Sequence, residues 1–455
     1  MKKSIYHLSF LLSMVALLAS CSEDEPLSPP DGNFEFSISE DLRGGEEIGD
    51  ISVEDPDGLS LTYILNENPA SALFEVDESS GIIRVGNDVI LAVDGDTVFD
   101  VSVAVSNGSS SNDGMISISI EVTNVPFSFN KYDDIQPIES RSVGLNGWEE
   151  YDFSLDDCRC FNGDSFKVAA LDNNSSSNLI ITLQGGGACW DGINFNCEDQ
   201  YTSVLSDYLS VADFSLELAN RIEGDWNHVM IPYCDKSLYS GDYSIDYNGA
   251  DGENEYFWGF RNGSAGINLA ADKFPNVERI ILTGCSAGGY GTIFNSAFIR
   301  HQFPQAEILV INESGAGLLH PTSPNIWETV LGQWNLNETI DANCESCDAQ
   351  VIHWYDDILS TDDNIRIAQF SSYEDFIIRI FLGGLSSTVF KNHLLAETEN
   401  LHNKYPNKYK RFFIEGDSHC FGSLSARNYA VNEQSYWDWV IDFVNNDPGW
   451  VDILE

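Results

Sequence analysis

The stretch that decides the fold is "RIILTGCSAGGYGTIFNSAFIRHQF", residues 279–303. It opens with an apolar run typical of a buried strand, passes through Gly284, Gly288 and Gly289, and continues as an amphipathic run of helical length. Glycine permits a tight turn because it has no Cβ. The stretch therefore predicts a strand, a sharp turn at Ser286 and a helix, the repeating unit of a sheet covered by helices.

The turn fits the pattern G-x-S-x-G, in which a serine hydroxyl is exposed at the start of a helix. Backbone N–H groups at a helix N-terminus stabilise negative charge that develops on such an oxygen. Glycine and serine are common residues, so the pattern alone equally fits a structural turn. Together with the preceding strand and the following helix, it predicts that Ser286 is a catalytic nucleophile.

Residues 126–455 repeat this alternation of strand-like and helix-like runs. The strand candidates are residues 178–184, 228–234, 279–284, 307–313, 366–372 and 410–416. Their nearly continuous apolar composition is expected of strands that are buried on both faces. The sequence therefore predicts an α/β domain with a mostly parallel sheet flanked by helices, one of them over residues 289–303.

Residues 34–125 have a different pattern. The runs "FDVSVAVS" (99–106) and "ISISIEV" (116–122) alternate apolar with polar residues, as half-buried antiparallel strands do. No helical period of useful length is present. This segment predicts a small all-β sandwich that precedes the α/β domain.

The first 21 residues combine two lysines, a short apolar run and the ending "LLASC". This arrangement predicts a signal peptide, and the ending resembles the lipobox of bacterial lipoproteins, in which the cysteine carries the lipid. Residues 22–33 are polar and contain prolines, which favours a flexible tether. We expect a protein lipid-anchored through Cys21 in the bacterial cell envelope, at the outer membrane or cell surface; the alternative is an ordinary secretory signal.

The charge of the chain excludes one class of function. The 455 residues include 72 acidic and 22 basic side chains, with a formal net charge of −50. Such a surface repels polyanions, so we expect no binding of nucleic acid.

Nine cysteines follow Cys21, and in an exported protein they predict disulfides. The odd number leaves at least one free thiol. Cys344 and Cys347 form a C-x-x-C pair without a second pair or paired histidines, so a local disulfide is favoured over a zinc site.

A nucleophilic serine needs a base and an acid that orients the base. In the order serine, acid, histidine that α/β-hydrolases use, Asp375 and His419 each follow a predicted strand. Glu374 is the main alternative acid. The other histidines that we weighed as the base are His228, His301, His320, His353, His393 and His402.

The stretch "LQGGGACW" (183–190) follows an early strand, and its glycines leave backbone N–H groups unobstructed. It predicts an oxyanion hole made by the N–H groups of Gly186 and Gly187 with that of Ala287, the residue after the nucleophile. No Gly-Lys-Ser/Thr follows, which disfavours a phosphate-binding loop.

These motifs, with "IPYCDKSLYSGD" (231–242), "AQFSSYED" (368–375) and "DSHC" (417–420), resemble the pectin acetylesterase family, which includes the animal lipid deacylase Notum. The resemblance covers roughly residue 146 to the end. It implies an α/β-hydrolase fold without metal or cofactor, with Ser286 as nucleophile, His419 as base and Asp375 as acid. Trp190 and Tyr233 lie within its motifs and are the substrate-binding candidates.

The β segment resembles a cadherin-like repeat in "FEVDESSGIIRV" (74–85) and "EDPDG" (54–58). Cadherin repeats bind calcium through carboxylates, and Glu40, Asp55 and Asp57 match some of them. Other expected acids are replaced, so calcium is possible here but not predicted. A spacer between the anchor and the catalytic domain is the simplest role for this segment.

The candidate triad predicts a serine carboxylesterase, and the resemblance to pectin acetylesterases implies that it removes acetyl groups from a polysaccharide. One alternative is a lipid or fatty-acyl deacylase, which a deep apolar pocket would indicate. The other is an inactive surface protein that binds glycans through its β segment.

Overall fold

The computed structural model describes residues 27–39, 42, 44–86, 89, 91, 93, 96–109, 113–123, 128–143, 147–173, 176–190, 193–194, 214–245, 255–322, 330, 332–336, 350–421 and 425–455. The expected signal peptide with Cys21, Glu40, and the Cys344/Cys347 pair lie outside the described residues. Within these ranges, no helix combines the length and apolar character that a membrane span needs.

The chain divides at residues 125/126 into two units. The strands of the first unit are β1 Gly32–Ser39, β2 Glu47–Asp50, β3 Thr62–Leu65, β4 Phe74–Val76, β5 Ile82–Val85, β6 Thr97–Ser106 and β7 Gly114–Thr123. They form one sheet in the order β1-β7-β6-β3 and another in the order β2-β5-β4.

The first unit is an all-β structure around a single core. Strands β6 and β7 pair antiparallel, and alternate residues of β7 are buried, as the period of two predicts. Buried side chains of both sheets, such as Ile83 and Val103, belong to one hydrophobic cluster. The likeness to cadherin repeats remains a prediction, and Asp55 accepts hydrogen bonds from the N–H groups of Asp57 and Leu59 within its own loop.

The second unit contains the remaining strands and the helices. Its strands are β8 Pro137–Ser142, β9 Trp148–Phe153, β10 Lys167–Leu171, β11 Asn178–Leu183, β12 Cys189–Trp190, β13 Ile193–Asn194, β14 Asn227–Ile231, β15 Tyr243–Ile245, β16 Glu255–Phe257, β17 Arg279–Cys285, β18 Glu307–Glu313, β19 Ile365–Ser372, β20 Tyr409–Ile414, β21 Ala430–Val431, β22 Gln434–Ser435 and β23 Ile453–Leu454. Its helices are α1 Gly259–Lys273, α2 Ala287–Gln302, α3 His353–Thr361, α4 Phe376–Phe381, α5 Ser387–Lys404 and α6 Tyr436–Asn445. Residues 214–221 are also helical.

One large mixed sheet organises this unit, in the order β23-β20-β19-β18-β17-β11-β14-β10-β9-β8. The strands from β14 to β23 in this order are parallel, and all six predicted strands are among them. Strands β10, β9 and β8 add an antiparallel edge that the sequence did not predict. The sheet is therefore mixed. Strands β8 and β9 were not predicted because their polar residues interrupt the apolar runs by which buried strands are identified.

The parallel strands are apolar along their whole length because both faces of the sheet are covered. On β18, Ile308 and Val310 join a core with α1, α2, α3 and α5, whereas Leu309 and Ile311 join a second core with α6. This two-sided burial fixes the register of the strands and places their carboxyl ends along one edge.

His228 on β14 is a structural histidine with a testable consequence. Its side chain is buried, Nδ1 has no hydrogen-bond partner among the described residues, and burial lowers its pKa to about 4. The unfolded chain binds this proton near pH 6.5, so the contribution of neutral His228 is complete above that pH and is lost as the pH falls toward 4. When the pH is lowered from about 7 to about 4.5, the free energy of unfolding of both proteins is expected to fall. We expect the fall to be roughly 2–3 kcal/mol smaller for His228→Phe than for the unchanged chain.

Urea denaturation of both proteins at the two pH values measures this difference. Equal losses of stability would show that His228 does not contribute to acid denaturation.

Candidate active site

Ser286 lies at the junction of β17 and α2 in a strained backbone conformation. Its φ is 60° and its ψ is −121°, an uncommon region for a residue with a side chain. A Cβ on Gly284 would overlap the carbonyl of Gly288, and one on Gly288 would overlap the carbonyl of Leu183. The G-x-S-x-G pattern is therefore required by close backbone packing, and the turn directs Ser286 out from the carboxyl end of the sheet.

Asp375 and His419 are in direct contact. His419 Nδ1 lies 2.9 Å from one carboxylate oxygen of Asp375 and 3.0 Å from the other. Asp375 is fully buried after β19, and its carboxylate also accepts the N–H of Ile378 in the first turn of α4. A histidine that donates from Nδ1 to a carboxylate leaves Nε2 free to accept a proton.

This contact favours Asp375 over Glu374 as the acid that orients His419. Glu374 is half-buried, and its backbone N–H donates to the carbonyl of Gly416. Among the rival histidines, His320 borders the same pocket as Ser286, but its Nδ1 accepts the N–H of Thr322.

A disulfide brings the serine and histidine segments together. Cys285, directly before Ser286, is bonded to Cys420, directly after His419, and their Cα atoms are 6.1 Å apart. Since consecutive Cα atoms are about 3.8 Å apart, Ser286 and His419 have Cα atoms within about 14 Å of each other. The sequence predicted disulfides in general but not this pairing.

The other described cysteines also follow the general prediction. Cys160 is bonded to Cys234, and Cys189 is disulfide-bonded as well. Cys158 is a free buried thiol, and burial raises its pKa well above the usual range.

The predicted oxyanion loop lies against the nucleophile turn. A Cβ on Gly185 would come within 2.7 Å of the carbonyl oxygen of Cys285. Within the described part of the chain, the N–H groups of Gly186, Gly187 and Ala287 have no backbone acceptor. Gly186 and Ala287 line the pocket next to Ser286, whereas Gly187 is not among its lining residues; the oxyanion hole itself remains a prediction.

The pocket in front of Ser286 is strongly apolar. Its empty volume is about 740 Å³, which includes solvent space outside the mouth of the pocket. Its lining includes Trp190, Phe294, Leu318, Trp334, Phe381 and Leu382. The Trp190 ring lies edge-on to Trp334 at 5.9 Å, and Trp334 Nε1 donates to the carbonyl of Cys189. Burial raises the pKa of the Tyr290 hydroxyl, which also lies in the lining and therefore stays neutral.

The two substrate-binding candidates have different positions. Trp190 is part of the pocket wall. Tyr233 is not among the lining residues; its ring packs against Gly186, where a Cβ would overlap it, and its hydroxyl accepts the N–H of Leu238. Tyr233 therefore supports the oxyanion loop from behind. Most of the apolar lining was not predicted, because it comes from separate segments that carry no motif.

Comparison with known proteins gives a consistent result. Residues 157–350 match the family model described as Pectinacetylesterase. The chain is 26% identical over 186 residues to pectin acetylesterase 4 of Arabidopsis thaliana and 27% identical over 190 residues to pectin acetylesterase 5 of the same plant. Each match covers 37% of this chain, and 44% and 42% of the two plant proteins, so the chain spans less than half of their length.

A solved structure, the Wnt deacylase Notum from Drosophila, matches 65% of this chain and 92% of its own, at 17% identity and a TM-score of 0.45. The range of the family model contains the glycine loop and Ser286 but ends before Asp375 and His419. Residues 157–350 are thus similar to the pectin acetylesterase family, which supports an esterase-type hydrolase as the class of the second unit.

Proposed function

We propose that the chain is a serine carboxylesterase that uses Ser286, His419 and Asp375. The observation that carries the proposal is the hydrogen bond of His419 to buried Asp375, in a segment that a disulfide joins to the residue before Ser286. Nucleophile, base and acid come from the carboxyl ends of β17, β20 and β19, the edge at which parallel sheets place their active sites.

In the first half of the reaction, His419 Nε2 accepts the hydroxyl proton of Ser286 while Oγ bonds to the ester carbonyl carbon. The carbonyl oxygen becomes an oxyanion and accepts hydrogen bonds from the N–H groups of the glycine loop and Ala287. The carbon–oxygen bond to the alcohol then breaks, and the imidazolium gives its proton to the leaving oxygen.

In the second half, His419 accepts a proton from water as the water oxygen attacks the acyl carbon. The bond to Ser286 Oγ breaks, the proton returns to Oγ, and the carboxylic acid leaves. Asp375 stabilises the imidazolium in both halves and holds the ring with Nδ1 as the donor.

The pocket favours an acyl group larger than acetyl. An acetyl group would cover little of the apolar wall formed by Trp190, Phe294 and Trp334. Each buried CH₂ contributes about 0.8 kcal/mol, so a medium-length chain gains substantially from this pocket. The net charge of −50 also disfavours a polyanionic glycan such as de-esterified pectin.

Acetylated polysaccharide is the second candidate substrate, and the similarity to plant pectin acetylesterases favours it. A neutral acetylated glycan avoids the charge repulsion.

We also propose, from the sequence of residues 1–21, that the protein is attached to a bacterial cell envelope through a lipid on Cys21.

Hydrolysis of p-nitrophenyl acetate and p-nitrophenyl octanoate by the purified chain tests these substrates. We expect kcat/KM for octanoate to exceed that for acetate at least about tenfold. Val351→Phe, which adds a ring to the buried pocket wall, is expected to reduce octanoate turnover much more than acetate turnover.

Val389→Phe on the exposed side of α5 is the matched control and leaves both rates unchanged. Faster turnover of acetate, with no effect of Val351→Phe on selectivity, would move the substrate to acetyl esters. Absence of turnover of both esters would favour the inactive glycan-binding protein.

A further inference from the structure

The segment that carries His419 is held on both sides of the histidine. Residues 415–418, which lead from β20 to the histidine, are exposed, whereas the residue after the histidine, Cys420, is buried. Before the histidine, the carbonyl groups of Gly416 and Asp417 accept the N–H groups of the residues on either side of Asp375, which ties this part of the segment to the acid. After the histidine, the position of the backbone depends on the contacts made by Cys420.

Cys420 makes two such contacts. Its sulfur is bonded to that of Cys285, which pairs with Glu313 across β17 and β18. Its N–H donates to the hydroxyl of fully buried Ser314 at 2.9 Å. Both contacts join the histidine segment to the strand ends that present the nucleophile.

The backbone around this point is strained at three residues. Ser286, Ser314 and Cys420 all have positive φ, at 60°, 55° and 53°. The N–H of Ser286 donates to the carbonyl of Glu313 at 2.9 Å. The carboxylate of Glu313 forms a buried ion pair with Arg427, which follows the histidine segment along the chain. Such conformations persist only where the surroundings hold them in place.

We propose that the Cys285–Cys420 disulfide and Ser314 are positioning residues that set the approach of His419 Nε2 to Ser286 Oγ. The disulfide takes no part in the chemistry; it fixes the backbone on both sides of the reacting pair. The proposal rests on the proposed esterase function and adds residues that the sequence did not single out.

The test compares two disulfides of the same unit. Cys285→Ala/Cys420→Ala removes the link beside the site, and Cys160→Ala/Cys234→Ala removes a link whose cysteines do not line the pocket. Both double variants are expected to have a lower Tm than the unchanged chain. Since a displacement of about 1 Å costs about 10²-fold in rate, we expect the first variant to lose about 10²-fold in kcat with KM nearly unchanged.

The control variant is expected to keep kcat within about threefold of the unchanged chain. The rate at which a fluorophosphonate labels Ser286 gives an independent readout, because this reaction also needs the base but not the acyl pocket. It is expected to fall in parallel with kcat in the first variant only.

The proposal would be overturned if Cys285→Ala/Cys420→Ala is folded, as judged by circular dichroism, and has the same kcat and labelling rate as the control variant. If the first variant does not fold, Ser314→Ala is the deciding variant, because it removes only the hydroxyl that accepts the N–H of Cys420. We expect Ser314→Ala to have a several-fold lower kcat at unchanged KM. An unchanged kcat would overturn the proposal. Failure of the unchanged chain to hydrolyse esters or to be labelled would instead refute the esterase function, and the positioning role with it.

Discussion

Ser286→Ala is expected to lower kcat on p-nitrophenyl esters by roughly 10⁶-fold, to the background set by the oxyanion hole and binding. The variant removes the oxygen atom that bonds to the acyl carbon, so the proposed mechanism requires a loss of this size. Alanine retains the positive φ of this turn, and Ser286 is at the surface of the pocket, so the fold should be unchanged.

Ser296→Ala provides a matched control on the same helix. Its hydroxyl is buried and donates to the carbonyl of Thr292, away from the pocket lining. We expect full esterase activity and a loss of about 1 kcal/mol in unfolding free energy. Residual activity of Ser286→Ala above a few per cent, from protein free of other esterases, would mean that a different group attacks the ester.

Asp375→Asn is expected to lower kcat by about 10⁴-fold. An amide cannot stabilise the imidazolium by charge, and its NH₂ group favours the tautomer of His419 in which Nδ1 accepts. Asparagine caps a helix about as well as aspartate, so the N-terminus of α4 and the overall stability should change little.

Glu374→Gln tests whether the neighbouring carboxylate is the acid instead, because it removes one negative charge just as Asp375→Asn does. We expect activity within about twofold of the unchanged chain, because the carboxylate that contacts His419 is that of Asp375, and the variant keeps the backbone N–H by which Glu374 contacts Gly416. Steady-state kinetics on octanoate for both variants decide the assignment. A large loss in Glu374→Gln with little loss in Asp375→Asn would reverse it.

The α/β unit was predictable where one local signal determined the structure. Apolar runs identified the parallel strands because those strands are buried on both faces, and the helix after Ser286 begins at Ala287, two residues before its expected start. The polar edge strand β8 was missed because its side chains are mostly exposed.

The site was predictable to the extent that motifs carry it. Glycines and chain order indicated Ser286, Asp375, His419 and the oxyanion loop, and the structure places Asp375 against His419. The apolar pocket is assembled from segments as distant as Trp190 and Leu382, so no local pattern marks it. The position of Tyr233 behind Gly186 depends on which side of a loop faces the cavity, which the motif does not specify.

The disulfide beside the site also constrains how an active chain is made. Cys285 and Cys420 are separated by 135 residues, so Cys285 can pair with another cysteine before it meets Cys420. A chain that pairs Cys285 with an earlier cysteine, such as Cys160, must undergo thiol–disulfide exchange before His419 can be fixed. Acquisition of activity is thus expected to lag behind formation of the sheet during oxidative folding.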